Sequence, residues 1–265
     1  MRRVFITGAS SGLGWALALE YARRGARLGL VARSDDRLQD LLRALPDPSL
    51  HLAYAVDVND HEALRDAAQD FIRHCGGVDV VVANAGISYG TLTERSEDLE
   101  VFEKIIRTNL IATVATFAPF VDTMKAQAAN GARDLRLVGI ASVAGIRGMP
   151  GAGAYSASKA AVISYCESLR VELRGHGIRV VTIAPGYIDT PMTQVNRYPM
   201  PFLMPAQRFA RSAVKVIERG RSYAVIPWPM RVVSWLLKLL PNALFDVAFA
   251  RAGRKPSFSE LNRTR

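Results

Sequence analysis

Tyr155 and Lys159 stand four residues apart in the stretch GAYSASKAAV, residues 153–162, with only small residues between them. In a helix, residues at i and i+4 lie on one face, a few ångströms apart at their Cβ atoms. An ammonium group beside a phenol favours the phenolate and lowers the pKa of the tyrosine. The pair is therefore a candidate acid/base device, although many surface Tyr and Lys residues share this spacing by chance.

A glycine-rich stretch near the N-terminus, TGASSGLG, contains Gly8, Gly12 and Gly14. Its spacing is longer than the common GxGxxG fingerprint, but the mechanics are the same. Glycines permit a tight turn and a close backbone approach, and free N–H groups at the start of the next helix receive a pyrophosphate. A plain strand-to-helix turn would also use glycines. This loop follows a β-rich run and opens a helical pattern, which favours a dinucleotide site.

The residues after the second β-rich run predict which dinucleotide binds. An NAD site usually places a carboxylate about 20 residues beyond the glycines to hold the ribose 2′-hydroxyl. Here that count reaches Ala32, followed by Arg33 and Ser34. A guanidinium matches a 2′-phosphate through its bidentate fork, so the sequence predicts NADP(H) in preference to NAD(H). The alternative is that Ser34 caps the next helix and Arg33 is solvated.

The composition is that of a globular protein with a substantial core. The chain has 265 residues, of which 49% are hydrophobic and 22% charged. We find no Gly/Ser-rich run, low-complexity tract or fixed-period repeat, so one large domain is the default. The formal net charge of +10 makes anionic partners plausible. Without a helix-turn-helix, zinc or aromatic-interleaved basic motif, that charge predicts only nonspecific nucleic-acid binding.

Cysteine and histidine usage gives no metal or disulfide pattern. Cys75 and Cys166 lie far apart without a CxxC motif, which indicates a reducing compartment and a cytoplasmic protein. The four histidines lack ligand spacing, so no metal site is expected. The N-terminus lacks the apolar core of a signal peptide, and no run of about 18 apolar residues predicts a membrane span.

Short β-rich runs alternate with longer helical patterns along the chain. Seven runs resemble strands: RVFITG, ARLGLVA, LHLAYAVDV, VDVVVANAG, LRLVGIAS, IRVVTIAPG and SYAVIP. Helical patterns fall at about residues 12–24, 34–45, 59–75, 97–129, 152–174 and 205–219. Several strand runs are continuously apolar, as expected when helices cover both faces of a parallel sheet. The pattern predicts a doubly wound α/β fold whose ligand crevice lies beyond the carboxyl ends of the strands.

Five motifs in a fixed order give the chain a family resemblance. TGASSGLG, NAG at 84–86, Ser142, YSASK at 155–159 and PGYIDT at 185–190 together resemble the short-chain dehydrogenase/reductase family over about residues 3–227. The resemblance implies a single Rossmann-type domain with seven parallel strands and hydride transfer with a nicotinamide cofactor. It also implies a homodimer or a homotetramer.

The resemblance assigns a role to four catalytic residues. Tyr155 is implied to be the general acid/base, and Lys159 to lower its pKa and bind the nicotinamide ribose. Ser142 is implied to orient the substrate oxygen. Asn109, in IIRTNLIAT, matches the helix asparagine that holds a water leading to Lys159. Taken alone, Asn109 would be interpreted as a buried polar residue at a helix kink.

The same matching gives the expected cofactor contacts. Asp57 is implied to accept from the adenine amino group, although it could instead cap a helix. The segment 84–86 is implied to pass the adenine ribose, and the loop 185–190 to cover the nicotinamide. The full expected set is Gly8, Ser10, Ser11, Gly12, Leu13, Gly14, Arg33, Ser34, Asp57, Val58, Asn84, Ala85, Gly86, Tyr155, Lys159, Pro185, Gly186, Ile188 and Thr190.

The segment after the fifth motif is rich in methionine and aromatic residues. Met192, Tyr198, Met200, Phe202 and Met204 lie among several prolines. Such a lid could wrap an apolar substrate, because methionine side chains adapt to irregular surfaces. The alternative is that these side chains pack the lid onto the body.

Residues 228–265 form a C-terminal extension beyond the predicted 1–227 domain. The extension has seven basic residues against two acidic ones, a net charge of +5. Arg231, Ser234 and Lys238 are predicted to form one helical stripe, with Trp235, Leu236, Leu239 and Leu240 over much of the remainder. Pro241 ends this helix, and ALFDVAFA is a candidate second helix. The extension either packs on the substrate loop or a neighbouring subunit, or lies on an anionic membrane as a peripheral contact.

The sequence therefore predicts an NADPH-dependent oxidoreductase acting on a ketone, an aldehyde or a secondary alcohol. The lid and the extension favour a lipophilic substrate such as a lipid, a steroid or an acyl ketone. A keto-sugar reductase of surface polysaccharide synthesis is one alternative, and a catalytically idle cofactor sensor or scaffold is another. The combined presence of Asn109, Ser142, Tyr155 and Lys159 argues against an idle protein.

Overall fold

A seven-stranded parallel sheet forms the centre of the protein. The computed structural model describes residues 1–196, 198–250, 253–258 and 260. The strands are β1 (Arg3–Thr7), β2 (Arg27–Ala32), β3 (Leu52–Ala55), β4 (Val80–Ala83), β5 (Leu135–Ile140), β6 (Ile178–Pro185), β7 (Ile188–Asp189), β8 (Met204–Pro205) and β9 (Tyr223–Ile226). The main sheet has the order β3-β2-β1-β4-β5-β6-β9, and β7 pairs with β8 separately.

The sheet is buried on both faces, as the continuous apolar runs predicted. Val4 of β1 pairs with Leu28 of β2 on one side and Val80 of β4 on the other. Every residue of β4 and β5 is buried. The chain order reverses between β1 and β4, so the loops that follow these two strands open a crevice at the carboxyl edge of the sheet. The predicted doubly wound, seven-stranded Rossmann-type fold is confirmed.

Helices cover both faces of the sheet. They are α1 (Gly12–Arg23), α2 (Asp35–Ala44), α3 (His61–Cys75), α4 (Asp98–Ile106), α5 (Ala112–Ala129), α6 (Gly153–Glu172), α7 (Pro191–Gln194), α8 (Ala206–Glu218), α9 (Trp228–Leu239) and α10 (Asn242–Phe249). One buried cluster packs α1, α2 and α8 on the sheet, and a second packs α3, α5 and α6 on the opposite face.

The helix predicted over 97–129 is not one continuous α-helix. A π-helical stretch, Arg107–Ile111, separates α4 from α5 and has Asn109 at its centre. Asn109 is fully buried there. π-helical insertions often occur at functional sites, and they shift a helix by one residue without ending it. Sequence periodicity does not resolve such a shift.

The apolar positions on α6 belong to the core. In sequence, Val162, Cys166, Leu169 and, one residue beyond the helix, Leu173 suit a core face and a subunit interface alike. All four are buried in the second cluster, against the sheet and α5. Their apolar character is therefore explained within one chain.

The stripe formed by Arg231, Ser234 and Lys238 on α9 is not exposed along its whole length. Ser234 faces the body, is 4% exposed and donates a hydrogen bond to the Met230 carbonyl oxygen. Arg231 and Lys238 are exposed. The hydroxyl of Ser234 is satisfied by its own helix, so this residue can lie inside while larger apolar side chains lie outside. Among the described residues, no helix is long and apolar enough to cross a membrane.

Residues 253–258 return to the substrate side of the molecule. Gly90 donates from its backbone N–H to the Pro256 carbonyl oxygen over 2.9 Å, and forms an isolated parallel bridge with Ser257. Three of the basic residues counted in the extension, Arg251, Arg263 and Arg265, lie outside the described residues.

Candidate active site

A cavity of about 370 Å³ lies at the carboxyl edge of the sheet. It gathers residues that are far apart in sequence but follow neighbouring strands. The expected residues that line it are Gly8, Ser10, Ser11, Gly12, Leu13, Arg33, Asp57, Val58, Asn84, Ala85, Gly86, Ser142, Tyr155, Lys159, Pro185, Gly186, Ile188 and Thr190. The five motifs thus meet at a single site.

Three expected residues do not line the cavity. Gly14 lies under the loop, where a Cβ would overlap the Gly8 carbonyl oxygen and lie 2.7 Å from Asn84 Nδ2. Ser34 is the N-cap of α2 and accepts from the Arg37 backbone N–H over 3.4 Å, as the capping alternative predicted. Asn109 lies behind the cavity wall. These positions support the site from outside rather than facing a ligand.

The glycine loop is held against the end of β4 by side chains. Asn84 Nδ2 donates to the carbonyl oxygens of Thr7 and Gly8, at 3.0 and 3.2 Å. The Thr7 hydroxyl oxygen accepts from the backbone N–H groups of Asn84 and Ala85. Gly8 and Gly12 have φ of 68° and 55°, in the region that favours glycine. Thr7 was missed from the sequence because a threonine at a strand end carries no distinctive pattern.

Arg33 and Asp57 lie at one end of the cavity. Arg33 is exposed, and makes no ion pair with any residue that the structure describes. Its guanidinium is thus available to an anion. Asp57 does not cap α3, because Asp60 does so by accepting from the Ala63 N–H. Asp57 accepts instead from the Asn59 backbone and side chain, both at 2.9 Å.

Tyr155 and Ser142 form the reactive end of the cavity. Ser142 follows β5, is 8% exposed and accepts from the Ala144 N–H over 3.2 Å. Burial raises the pKa of Tyr155 above its ordinary value, and a hydrogen bond with Ser142 opposes that shift. The phenol is therefore protonated at neutral pH and available to donate to an oxygen.

Lys159 was expected to lower the pKa of Tyr155, but burial raises that pKa instead. Lys159 Nζ lies 5.9 Å from the centre of the Tyr155 ring and donates to the Ile140 carbonyl oxygen over 2.8 Å. Burial lowers the pKa of Lys159 itself to about 8. Since the ammonium hydrogen-bonds a backbone carbonyl, it is not directed at the phenol. The i, i+4 spacing predicts that Tyr155 and Lys159 lie on one face of the helix, but it does not predict the hydrogen bond from Lys159 to the Ile140 carbonyl oxygen.

Asn109 fixes the wall behind Lys159. Its amide oxygen accepts from the Ile87 N–H at 2.8 Å, and its amide nitrogen donates to the Ile87 carbonyl at 3.0 Å and to Ser158 Oγ at 2.9 Å. A Cβ at Gly86 would lie 3.1 Å from Asn109 Oδ1 and 3.5 Å from Lys159 Nζ. Asn109 and Lys159 thus flank the same glycine without bonding each other directly.

The loop after β6 closes the other side of the cavity. Gly186 is packed under α9, where a Cβ would lie 2.7 Å from Met230 Cγ. Thr190 is 8% exposed and precedes α7, the first turn of the lid. Its Cγ2 would lie 3.3 Å from a Cβ at Gly12, so this loop and the glycine loop come into close contact at this point of the cavity wall.

The lid packs partly on the body of the protein and partly lines the cavity. Met204 is 9% exposed and packs in the core, whereas Met192 lines the cavity. Tyr198 meets Tyr187 at 6.3 Å between ring centres. Burial raises the pKa of Tyr198 to about 12, with smaller contributions from Tyr187 and Tyr155.

The C-terminal segment 253–258 packs on the substrate loop, as one of the two alternatives for the extension expected, and adds a wall beside the cavity. Phe258 packs edge-on against Tyr89 at 5.0 Å between ring centres, and Tyr89 lines the cavity. Lys104, another lining residue, lies 5.4 Å from the Phe258 ring centre. Lys255 donates to the Met192 carbonyl oxygen at 3.1 Å, and burial lowers the pKa of Lys255 to about 8. These contacts join distant parts of the chain, and no local motif predicts them.

The cavity fits a dinucleotide. Gly8, Ser11 and Gly12 line the cavity at the start of α1, where free N–H groups favour a pyrophosphate. Asp57 supplies an acceptor and Arg33 a cation at one end, and Tyr155 and Lys159 lie at the other. A long ligand with phosphates in its middle matches this order of donors and acceptors.

The fold and the site define an oxidoreductase of the short-chain dehydrogenase class. The model of the short chain dehydrogenase family matches residues 2–200, and the chain belongs to that family. An uncharacterized oxidoreductase of Myxococcus xanthus is 39% identical over 94% of this chain and 97% of its own length. An 11-beta-hydroxysteroid dehydrogenase 1A of Arabidopsis thaliana is 36% identical over 91% of this chain and 65% of its own length. The structure of a 3-ketoacyl-(acyl-carrier-protein) reductase from Brucella melitensis, complexed with NADH, superimposes with a TM-score of 0.78 at 25% identity, covering 85% of this chain and 96% of that one.

Proposed function

We propose that this protein is an NADPH-dependent reductase of ketones or aldehydes that also catalyses the reverse oxidation of secondary alcohols. The observation that carries the proposal is the convergence of Ser142, Tyr155 and Lys159 with the glycine loop in one cavity. A protein that only binds a dinucleotide has no need of a protonated phenol beside a serine hydroxyl.

Each residue has a chemical role in this reaction. When bound, the nicotinamide supplies or accepts the hydride. The Ser142 hydroxyl orients the carbonyl oxygen, and the Tyr155 hydroxyl donates its proton to that oxygen as negative charge develops. The raised pKa of Tyr155 keeps the phenol protonated in the reductive direction. Lys159, whose pKa is about 8, is charged at neutral pH. Although it hydrogen-bonds the Ile140 carbonyl oxygen, its charge lies 5.9 Å from the Tyr155 ring centre and favours the phenolate that remains.

Arg33 is the proposed determinant of the cofactor. It lines the cavity, is exposed and has no carboxylate partner in the described part of the chain. Arg33→Ala should weaken NADPH binding by at least about tenfold and leave NADH binding unchanged, because a charge-assisted phosphate contact contributes roughly 1.5–3 kcal/mol. Calorimetric titration with both cofactors tests this, and equal affinities in wild type and variant would refute it.

A lipophilic carbonyl compound is the proposed substrate. Met192 and Tyr89 line the same cavity as Tyr155, and Phe258 packs against Tyr89. In the lid, Tyr198 packs against Tyr187. The similarity to a protein named as a hydroxysteroid dehydrogenase supports the same class. A panel of lipophilic ketones, small diketones and keto-sugars, compared by kcat/KM, tests the proposal. Faster turnover of the keto-sugars would instead favour a role in polysaccharide synthesis.

Two further expectations stay predictions. A homodimer or homotetramer follows from the family resemblance, and light scattering of the purified protein tests it.

The division into a 1–227 domain and a 228–265 extension is tested by limited proteolysis, which should cut near residue 227 if the extension is separate.

A further inference from the structure

Seven large apolar side chains lie exposed on one side of the last two helices. We define the α9–α10 face as Trp228, Val232, Trp235, Leu236, Leu239, Leu244 and Val247. Trp228 is 75% exposed, Trp235 61% and Val247 82%. The five members on α9 follow one helical stripe, and the two on α10 are three residues apart. Contiguous apolar patches of this kind on a soluble surface mark a partner or a membrane.

The α9–α10 face cannot turn inward, because the opposite side of α9 is already packed. Met230 is 4% exposed and belongs to a small cluster with Ala184 and Val225, against which Val233 packs. These contacts fix the rotation of α9 about its axis. The exposed stripe is thus the side of α9 that faces away from the body of the protein.

Arg147 fixes the junction between the two helices. Its guanidinium donates to the Leu237 carbonyl oxygen at 2.7 Å, to the Leu240 carbonyl and to Asn242 Oδ1 at 2.8 Å. It also lies 4.1 Å from the Phe245 ring centre on α10. Two carbonyls at the C-terminal end of α9 are therefore satisfied, and α10 is tethered to the same guanidinium. Arg147 thus sets where the exposed apolar residues of α10 lie relative to those of α9.

The charges around the face identify the partner. Arg231 and Lys238 are exposed on one flank of the α9 stripe, and α9 contains no acidic residue. α10 contributes one carboxylate, Asp246, so cations outnumber anions on the surface. Self-association would bring these cations together in a chain that carries a net charge of +10. An anionic lipid surface attracts them instead.

We propose that the α9–α10 face docks on the surface of an anionic lipid bilayer. Two exposed tryptophans suit the headgroup boundary, where their amphipathic rings are favoured. The helices lie along the surface, since none in the described chain is long enough to span it. Arg231 and Lys238 reach the anionic headgroups while the apolar stripe enters the acyl boundary.

Docking would place the lipid next to the substrate cavity. The inner side of α9 packs on Gly186, which lines the cavity, and on the neighbouring Tyr187. A lipophilic carbonyl compound dissolved in the bilayer would then reach the site without crossing water. This consequence rests on the proposed function, whereas the docking itself does not.

Sedimentation with lipid vesicles tests the proposal on the full chain. We expect wild type to pellet with vesicles of phosphatidylcholine and phosphatidylglycerol, and to bind pure phosphatidylcholine about thirtyfold more weakly, since each surface cation contributes about a factor of five. The double variant Trp235→Ser/Leu239→Ser should bind the mixed vesicles at least about a hundredfold more weakly. Val171→Ser, at a residue of α6 that is 65% exposed, is the matched control and should bind like wild type.

Several outcomes would overturn the proposal. Wild type that stays in the supernatant with both vesicles refutes docking, and equal binding to both refutes the role of the cations. Undiminished binding of the double variant assigns the membrane contact to another surface. If light scattering shows a wild-type dimer that the double variant converts to a monomer, and neither pellets, the face is a self-interface. NADPH oxidation by the soluble variants with a short-chain ketone reports the proposed function separately.

Discussion

Lys159→Met should stabilise the cofactor-free protein at neutral pH while removing its activity. Lys159 is 4% exposed and has no carboxylate partner among the described residues. Burial lowers its pKa from 10.5 to about 8. At about 1.4 kcal/mol per pKa unit, the buried charge destabilises the folded state by about 3 kcal/mol. Methionine cannot make the hydrogen bond to the Ile140 carbonyl oxygen, and this loss costs about 1 kcal/mol. The free energy of unfolding of the variant should therefore exceed that of wild type by about 2 kcal/mol.

Because the pKa of Lys159 is lowered on folding, the destabilisation that it causes depends on pH. The pKa of Lys159 is lower in the folded state than in the unfolded state, so the unfolded chain binds the proton more tightly. The full penalty is present below about pH 8 and disappears as the pH rises from about 8 towards 10.5. The free energy of unfolding of wild type should therefore rise relative to the variant by about 2 kcal/mol between roughly pH 7 and pH 9.5.

Urea unfolding followed by circular dichroism, repeated across this pH range, measures the difference. Lys215→Met, at an exposed lysine of α8, makes the same chemical change on the surface and should track the wild-type pH dependence. The reasoning fails if Lys159→Met is less stable than wild type at pH 7. It fails equally if the difference between the two proteins does not change with pH.

Two other substitutions test residues that support the site without lining the cavity. Asn109→Ala should lower the free energy of unfolding by about 3 kcal/mol, because it leaves the half-buried Ile87 N–H and carbonyl and the buried Ser158 hydroxyl without their side-chain partner. Thermal unfolding measures this, and a loss under about 1 kcal/mol would show that the wall rearranges freely. Gly14→Ala should weaken NADPH binding by more than about tenfold, because the added Cβ overlaps the Gly8 carbonyl and forces the loop away from α1. Gly175→Ala, where a Cβ would meet nothing within 4 Å, is the control and should bind NADPH like wild type.

The strands and the gathering of the motifs could be predicted because their signals are local. Seven apolar runs, six of them followed by a distinctive residue or motif, are sufficient to place those residues at one edge of a parallel sheet. Tyr155 and Lys159 share a helix, so their proximity follows from its periodicity. The Ile140 carbonyl that holds Lys159 belongs to another strand, and that contact depends on tertiary packing.

The C-terminal part of the chain shows where local patterns are insufficient. The apolar residues of α9 were correctly expected on a helix, but the composition did not indicate that Ser234 would face the body and Trp235 the solvent. The return of residues 253–258 to Gly90 is set by contacts with Tyr89 and Met192, far away in sequence. Both features depend on which surfaces remain after the sheet and its helices have packed.

The most direct test of the proposed reaction compares NADPH binding and NADPH oxidation in wild type and Tyr155→Phe. We expect the two proteins to bind NADPH with equal affinity, since the phenylalanine ring fills the same space without the hydroxyl. With a carbonyl substrate found in the panel, kcat of the variant should fall by about 10²–10⁴-fold, the usual contribution of a general acid. Turnover retained in Tyr155→Phe, or tight NADPH binding by a wild type that reduces no carbonyl compound, would contradict the account.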